Sequence, residues 1–565
     1  MGRAFYSNSR VRLEETLKDT GLRIYPEAYF SLVGLILLIA IIIMIPIIFL
    51  TGIIFLAPLP LLVILHGYAV PKIIAHDRAS KLDLEVPFAG TYISVMATGG
   101  LSPYASLKRL KECPLLPNVQ KVVKDLEIDV EIKGLDPVTA MEESAQNLPS
   151  KDYKELMLGY ASTMRTGGDV LHYLVVRTET MYKDLAIKVK AFGERATTLM
   201  ETYITISILM TLLLTVMYMT SLSFQGFWQG ETSATTFLIY GYFIVPIIAM
   251  LFIFISDSQQ ISQPLNDWRR YKVFFALLPI PIFLALTMFV PFAAPELTLP
   301  IAQPFIDFIT WLRQTLGLVR GYESGIAMGI VLLSAAISGT IAHSYYNRKT
   351  KDIENQVTAF MRDLTEARKT GSSPEKCMEN LSGRNYGGFT PILTTASRQI
   401  RWGLPFKVIY ETVKTKITSW LPLTNIYLLV DAIEVGGGTP ETLETLTHFS
   451  EELSTLEKEK KSTLRPLLIM PYIGAGILIF STLIFMSFSK TLLASYSHQT
   501  IPFSQVVTLL LPPLMIQTFF TGLVTGKLSG GSLSAGFKHA MVLEILALAF
   551  IPLAGYLTLP FIGGS

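Results

Sequence analysis

The sequence predicts an all-α integral membrane protein with about nine transmembrane helices and two duplicated helical cytoplasmic domains. Half of the 565 residues are hydrophobic and only 16% are charged, a composition typical of polytopic membrane proteins. Apolar runs near 20 residues, the length that crosses about 30 Å of hydrocarbon, recur along the chain. Two longer, more polar stretches lie between these runs and carry glycines at matching spacing, which indicates an internal repeat.

The apolar runs predict the membrane spans in order. The nine runs are 31–50, 52–70, 203–222, 237–255, 273–292, 326–342, 467–486, 506–524 and 541–561. The first two are so close that they predict a tight hairpin. The predicted divisions are an N-terminal segment 1–30, the hairpin 31–70, a first module 71–202, spans three to six in 203–342, a second module 343–466, and spans seven to nine in 467–565. The two modules are called module 1 and module 2 below.

Basic residues predict the orientation, because cytoplasmic loops retain lysine and arginine. With the N-terminus inside, only Arg313, Arg320 and Lys490 of the 47 basic residues fall in external loops. The opposite orientation would place nearly all the positive charge outside. Segment 1–30 and both modules are therefore expected in the cytoplasm, and the C-terminus is expected outside.

Two amphipathic segments are expected at the membrane surfaces. Residues 10–19 predict a short helix on the inner surface, and residues 304–318 predict an interfacial helix on the outer surface. The apolar stretch after residue 30 is about 40 residues long and lacks a small-residue cleavage site, so the start of the chain is not expected to be a cleavable signal.

The modules repeat a pattern of helix-ending glycines. Gly100, Gly134 and Gly167 of module 1 match Gly371, Gly403 and Gly436 of module 2, at offsets of 271, 269 and 269 residues. A capping residue or a proline follows each glycine closely, and Ser372 and Glu375 have capping-box spacing. The pattern predicts three helical corners per module. Spans two to five and six to nine then form two parallel four-helix units, related by a pseudo-twofold axis along the membrane normal.

The corners of module 1 resemble a known family. Val86, Pro87 and Phe88 precede the run Gly99 to Ser102, and the Gly167 corner is followed by an apolar helix. This order is similar to the helical cytoplasmic domain of type II secretion and type IV pilus inner-membrane platform proteins.

Module 2 repeats the resemblance over residues 357–374, with Thr358 in the place of Pro87. Its runs 384–387 and 401–405 are similar to the archaeal branch of that family, which includes the archaellum platform protein. The plan of nine spans and two modules also resembles that branch. The unequal copies are expected to present different surfaces to a symmetric partner.

The resemblance implies a non-catalytic platform. In that family the cytoplasmic modules would bind a hexameric secretion ATPase, and the membrane helices would pass pilin or archaellin subunits from the bilayer into a filament. A homodimer is a further arrangement left open. We expect the ATPase-facing surface at the corners and their neighbouring charges. Its residues are Gly99, Gly100, Lys108, Arg109, Lys111, Arg165, Gly167, Gly168, Asp169, Arg398, Arg401, Gly403, Glu434, Gly436, Gly437 and Gly438.

The basic clusters of this surface have a plainer interpretation as solvated faces attracted to anionic lipid. Docking onto an acidic face of a protein partner is the alternative. Nucleic-acid binding is not expected, because Glu112, Glu127 and Asp129 are interleaved with the basic residues and no aromatic platform accompanies them.

No catalytic residue, cofactor site or metal site is predicted. The run Gly436 to Gly438 lacks the lysine and the serine or threonine of a phosphate-binding loop, and Gly522 to Lys527 is one residue too short for one. Cys113 and Cys377 lack a paired histidine spacing. The spans contain no aspartate pair that would support intramembrane proteolysis.

Glu544 is the acidic residue inside a predicted span, about one turn into the last helix. An intramembrane carboxylate costs about 2.5 kcal/mol or more at the bilayer centre, so it is a candidate polar site. Its nearness to Lys538 and His539 also allows snorkelling to the interface. The alternative function is a secondary transporter built from two parallel four-helix repeats, although the spans otherwise look poor in polar groups.

Overall fold

The computed structural model describes residues 20, 26–51, 59–223, 238–260, 269–350, 352–436, 438–495 and 503–555. Within these residues the regular structure is helical and contains no β-strand, which confirms the all-α class. The chain divides into two compact units. Unit 1 consists of Met1–Leu185 and Glu354–Leu453, and unit 2 consists of Ala186–Ile353 and Ser454–Ser565.

The helices are numbered in chain order. The first twelve are α1 (Pro26–Thr51), α2 (Leu59–Thr98), α3 (Pro103–Leu110), α4 (Pro117–Glu131), α5 (Pro137–Asn147), α6 (Lys151–Thr166), α7 (Val170–Ser223), α8 (Val245–Gln259), α9 (Arg269–Leu277), α10 (Pro279–Leu284), α11 (Val290–Ala293) and α12 (Gln303–Thr315). The others are α13 (Glu323–Thr350), α14 (Ile353–Lys369), α15 (Pro374–Leu381), α16 (Thr390–Arg401), α17 (Phe406–Lys416), α18 (Trp420–Gly436), α19 (Pro440–Leu464), α20 (Ile469–Ser495), α21 (Phe503–Gly530) and α22 (Leu533–Phe550).

The helices of module 2 follow those of module 1 in the same order. Helices α3 and α15 have eight residues each, and α5 and α17 have eleven each. Helix α4 corresponds to α16, and α6 corresponds to α18. The order of short and long helices therefore repeats across the two halves of unit 1.

Side-chain contacts repeat as well, at the offsets of the glycines. In each module a side chain of α2 or α14 accepts from a backbone N–H at the start of α4 or directly before α16, a serine hydroxyl donates to a carboxylate, and two hydroxyl groups are in contact. In module 1 the contacts are Glu85 with the Asn118 N–H at 2.8 Å, Asp83 with Ser150, and Ser94 with Thr178. In module 2 they are, in the same order, Gln356 with the Phe389 N–H at 3.0 Å, Glu354 with Ser419, and Thr365 with Thr447. Equivalent residues therefore hold equivalent helices.

The helix starts follow the predicted caps with one correction. Ser102 caps α3 by accepting from the Ala105 N–H, and Asp136 caps α5. For α15 the cap is Ser373, which accepts from the Lys376 N–H at 3.4 Å, and not the predicted Ser372. The reason is that Pro374 occupies the first helical position, so the residue directly before it becomes the cap.

Within the described ranges, seven helical segments are long and apolar enough to cross a membrane. They are Val170–Tyr218, Tyr240–Gln259, Tyr271–Ala293, Glu323–Tyr346, Pro440–Ser487, Phe503–Gly530 and Leu533–Leu553. These segments match the last seven of the nine predicted spans. The first two predicted spans fall on α1, on residues 52–58 and on the start of α2. Residues 52–58 lie outside the described residues, as do the predicted positions 10–19, 237 and 556–561. The chain is a multi-pass membrane protein, and the number of nine spans is approximate.

Helix α21 is the centre of unit 2. It is buried along most of its length and packs against α22, α13 and α8. A Cβ atom at Gly522 would overlap the backbone of Ala540, and one at Gly526 would overlap the backbone of Gly536. Small residues therefore let α21 and α22 approach closely, as is usual between membrane helices.

Helix α21 also carries buried polar side chains. Gln517 donates to the Ser207 hydroxyl at 2.6 Å and accepts from the Thr211 hydroxyl at 2.5 Å, and Thr521 lies 3.3 Å from the Tyr203 hydroxyl. All five side chains are buried. The expectation that the spans are poor in polar groups apart from Glu544 is therefore wrong.

The segment predicted as an external interfacial helix is helical. Helix α12 exposes 47% of Phe308 and 57% of Trp311, while Ile309 is buried. Arg313 in its last turn pairs with Glu323 at the start of α13, with Nε and Oε1 2.9 Å apart. The amphipathic character is present, and the position of α12 at a membrane surface stays a prediction.

Candidate docking surface on the paired modules

Glycines with left-handed backbone form the predicted corners. Gly100, Gly167 and Gly403 have φ of 92°, 70° and 73°, a region that costs glycine little. Gly167 directly follows α6, and the Gly168 N–H donates to the Thr163 carbonyl at 2.9 Å, which satisfies one of the last carbonyls of the helix. Gly99 is partly buried next to the exposed Gly100.

The third corner of module 2 differs in detail from the prediction. Gly436 is the last residue of α18, Gly437 lies outside the described residues, and Gly438 has the left-handed φ of 54°. The Gly438 carbonyl accepts from Arg368 Nε at 2.8 Å. The corresponding corner of module 1 continues with Asp169, which accepts from the His172 N–H at 3.0 Å and so caps α7.

Lys108 of α3 and Lys111, which directly follows this helix, are ion-paired within module 1. Lys108 pairs with Glu131, and Lys111 pairs with Glu127 at 2.8 Å. The hydrogen bond from Lys111 lowers the pKa of Glu127. Near the third corner, Arg165 pairs with Glu142 at 2.6 Å. The charges of these three basic side chains are therefore balanced inside the module, with Lys108 and Arg165 still exposed.

Arg109 joins the two modules. Its Nη2 lies 2.8 Å from Asp431 Oδ1, and its Nε lies 3.4 Å from Asp431 Oδ2. Tyr92 on α2 donates to the same carboxylate. Burial and the carboxylate of Asp431 raise the pKa of the Tyr92 phenol, so the phenol keeps its proton. A carboxylate of module 2 is thus held by two side chains of module 1.

A second polar contact lies beside this one. Lys407 on α17 pairs with Glu112 at 2.8 Å, and its hydrogen bond lowers the pKa of Glu112. Glu434 accepts from the Lys407 N–H at 2.8 Å and so binds the start of α17. The structure therefore brings Arg109 and Glu112 to the end of α18 and the start of α17, although Glu112 and Lys407 lie 295 residues apart in sequence.

Aromatic and apolar contacts complete the pairing of the modules. The Trp420 indole N–H donates to the Leu115 carbonyl at 2.9 Å, and its ring lies 4.4 Å from that of Phe88. Tyr182 and Phe449 have ring centroids 5.8 Å apart. All five residues are buried. Unit 1 is therefore one body made from both modules.

The second corner of module 2 forms an exposed patch, which we call the Trp402 patch. It consists of Arg398, Arg401, Trp402, Leu404 and Val408. Trp402 is 75% exposed, Leu404 37% and Val408 47%. Arg398 is exposed, and Arg401 Nε lies 3.4 Å from Glu379 Oε1. An exposed tryptophan beside arginines has the composition of an interface core.

Trp402 is absent from the set of residues predicted for docking, because that set was chosen from glycines and charges. Its signal in the sequence is a tryptophan next to a helix-ending glycine, a position that is exposed to solvent. The corresponding corner of module 1 exposes 78% of Ile132 and 45% of Ile128. Both modules therefore present an apolar side chain at their second corner.

Glu544 does not take part in this surface. It lies on α22 in unit 2 and is fully buried. The helix begins at Leu533, earlier than the predicted span, so Glu544 lies about three turns from the helix start instead of one. Snorkelling does not describe its position.

A duplicated helical module joined to membrane-spanning helices defines a polytopic membrane protein built on an internal repeat. The family model for type II secretion system protein F matches the chain twice, at residues 91–218 and 360–487. The chain therefore carries the protein F domain in two copies. An uncharacterized protein of Methanocaldococcus jannaschii is 22% identical over 528 residues, which cover 89% of this chain and 84% of the relative. No solved structure matches the chain.

Proposed function

We propose that the chain is the non-catalytic membrane platform of an archaeal type IV pilus-like machine, either an archaellum or an adhesive pilus. The observation that carries the proposal is the pair of F domains in a multi-pass membrane protein, with the larger part of each domain in one compact unit. Proteins of this family are the membrane platforms of type II secretion and type IV pilus systems, and they interact with secretion ATPases and pilin subunits. The archaeal relative supports the archaeal branch.

The proposed topology places both modules and the N-terminus in the cytoplasm and the C-terminus outside. It rests on the small number of basic residues in the predicted external loops. The proposed module boundaries are 71–202 and 343–466, with the membrane helices between and after them. In this topology unit 1 faces the compartment that contains ATP.

The proposed partner of unit 1 is a hexameric secretion ATPase. The Trp402 patch supports this proposal, because exposed aromatic and arginine side chains supply most of the binding energy in protein interfaces. The exposed Ile132 offers a similar contact from module 1. The other predicted docking residues, at the Gly100 and Gly168 corners, would contribute the polar rim.

The proposed partners of unit 2 are pilin or archaellin subunits and the bilayer. Helix α8 and the preceding turn expose 65% of Phe243, 61% of Ile247 and 70% of Phe254. Such a face suits lipid or an apolar helix equally well. A homodimer through the same kind of face is a further proposed arrangement.

The platform proposal is tested by purifying the full chain from native membranes and identifying co-purified proteins. We expect a secretion ATPase together with pilin-like or archaellin-like subunits, and the identity of the subunits decides between pilus and archaellum. Recovery of the intact chain without any ATPase, under conditions that preserve other membrane complexes, would contradict the proposal.

The docking face is tested in the same experiment with Trp402→Ala and with the charge reversal Arg398→Glu. We expect each variant to lower ATPase recovery at least tenfold, equivalent to about 1.4 kcal/mol. Lys151→Glu is the matched control, because Lys151 is an exposed base at another helix start. If the wild-type chain binds the ATPase and all three variants bind equally well, the platform proposal stands and the assignment of this face is wrong.

The alternative of a secondary transporter gains one supporting observation, the buried polar side chains around Gln517 in unit 2. Transporters place polar groups near the bilayer midplane. Solute uptake by the purified chain in liposomes, in the absence of an ATPase, would favour this alternative and contradict the platform.

A further inference from the structure

Glu544 is an acidic side chain in the middle of a membrane-spanning helix with no solvent exposure. It faces α21, where Thr518 is equally buried. Burial of an ionised carboxylate away from water and from cations is strongly unfavourable. The protonation state of Glu544 can be read from the hydrogen bonds of Thr518.

The Thr518 hydroxyl has one hydrogen and two oxygen neighbours. Its Oγ1 lies 2.8 Å from the Met515 carbonyl oxygen and 2.8 Å from Glu544 Oε1. A carbonyl oxygen and an ionised carboxylate both only accept. A single hydrogen does not serve both at these distances. Both contacts become hydrogen bonds when Glu544 carries a proton and donates it to Thr518, which then donates to Met515.

Cations and other titratable groups around α22 are engaged elsewhere or exposed. The helices packed against α22 are α21, α13 and α20. Among the side chains that the structure describes, four groups on these helices and on α22 itself have partners: Lys527 pairs with Asp257, Glu323 pairs with Arg313, His343 bonds to Ser534, and Tyr472 bonds to His539. Lys538 and Tyr345 are exposed, and Tyr346 is partly exposed. Among the described residues, Glu544 Oε2 has no hydrogen-bond partner. An ionised Glu544 would therefore be an uncompensated charge.

We propose that Glu544 is a proton-binding site within the membrane helices, and that α21 and α22 enclose it as a neutral carboxylic acid at neutral pH. Glu544 and Thr518 have no exposed surface, and Gly522 allows α21 to approach the backbone of α22 closely at Ala540, one turn before Glu544. The site is distinct from the ATPase-facing surface and does not depend on the proposed platform function.

A neutral acid in apolar surroundings is a target for a hydrophobic carbodiimide. The acid gives its proton to a carbodiimide nitrogen, and its oxygen adds to the central carbon. The acyl group then moves to nitrogen and leaves a stable N-acylurea that retains the whole reagent. No oxidant or reductant takes part, and nothing is released.

The experiment treats the full-length chain in detergent with dicyclohexylcarbodiimide at neutral pH and maps the modified peptides by mass spectrometry. We expect labelling of Glu544, at least tenfold loss of the label in Glu544→Gln, and less label as the pH is raised. A water-soluble carbodiimide should modify exposed carboxylates and spare Glu544.

Infrared difference spectroscopy decides the outcome independently of reagent access. The infrared spectrum of the wild-type protein minus that of Glu544→Gln should show the C=O stretching band of a protonated carboxylic acid at neutral pH. Because the amide matches the neutral acid in size and in its ability to donate to Thr518, the variant should unfold at the wild-type temperature. Absence of the band, with carboxylate bands in its place, overturns the proposal whatever the labelling shows.

Discussion

Glu85 of module 1 and Gln356 of module 2 occupy equivalent positions and hold equivalent helix starts with different chemistry. The buried carboxylate of Glu85 accepts hydrogen bonds from the Asn118 and Val119 N–H groups at the start of α4. Gln356 holds the equivalent place in module 2 without a charge. Burial raises the pKa of Glu85, although the hydrogen bonds from Val119 and Asn118 oppose this effect. The charge is therefore a cost that module 2 avoids.

The substitution Glu85→Gln should change the pH dependence of stability. In the unfolded chain the carboxyl ionises near its ordinary pKa of 4.5, and the folded pKa is higher. The folded state therefore holds a proton that the unfolded state has released, and wild-type stability falls relative to the variant as the pH rises from about 4.5 to the folded pKa. Below that window the difference is constant. Thermal unfolding midpoints of both proteins across the pH range check this.

Gln356→Glu is the matched control and should bring the same pH dependence to module 2. Parallel pH profiles of wild type and Glu85→Gln would contradict the assignment of a raised pKa to Glu85.

At the scale of helices, glycine has two different roles in this chain. Gly100 and Gly403 end helices with a left-handed backbone, with no atoms crowding their position. Gly522 and Gly526 lie inside α21 and allow another backbone to approach. The spacing of Gly522 and Lys527 that resembles a short phosphate loop is therefore a helix-packing pattern, in which Lys527 pairs with Asp257.

Gly522→Ala should destabilise unit 2, because the added Cβ overlaps the Ala540 backbone, which cannot move aside as a flexible side chain would. We expect a loss of about 1–3 kcal/mol, typical of overpacking. Gly476→Ala on α20 is the control, since no atom lies within 4 Å of its added Cβ. Unfolding temperatures in detergent measure both. Equal behaviour of the two variants would show that α21 and α22 do not pack as described.

Much of the helical plan could be predicted from the sequence, and the reason is local. Apolar runs of membrane length and the glycine and proline signals around Ser102 and Asp136 act within a few residues. The partner of Asp431 could not be predicted, because Arg109 lies 322 residues away and no local pattern links them. The same holds for Glu544, whose depth depends on where α22 begins and whose partner, Thr518, lies on another helix.

At the scale of the molecule, the repeat is nearly symmetric in its helices but not in the contact that joins its modules. The carboxylate of Asp431 receives Arg109 and Tyr92. At the glycine offsets, the positions equivalent to Asp431 and Arg109 hold Ser162 and Asn380. The exchanged pair of residues therefore cannot form an ion pair, and the salt bridge between Arg109 and Asp431 is one contact that favours a single arrangement of the modules.

A double-mutant cycle tests whether this ion pair couples the modules. Arg109→Ala and Asp431→Ala should each destabilise unit 1, and the double variant should lose less than the sum. Side-chain exposure is 43% for Arg109 and 13% for Asp431, so solvent screens the pair and the coupling should be about 1 kcal/mol. Each single variant should also speed hydrogen exchange in both α3 and α18, because the contact belongs to both modules.

Arg165 and Glu142 supply a control cycle, since their ion pair lies within module 1 and should leave exchange in α18 unchanged. Additive losses at Arg109 and Asp431, with faster exchange confined to the mutated helix, would mean that the apolar contacts of Trp420 and Phe88 hold the modules together without help from the salt bridge.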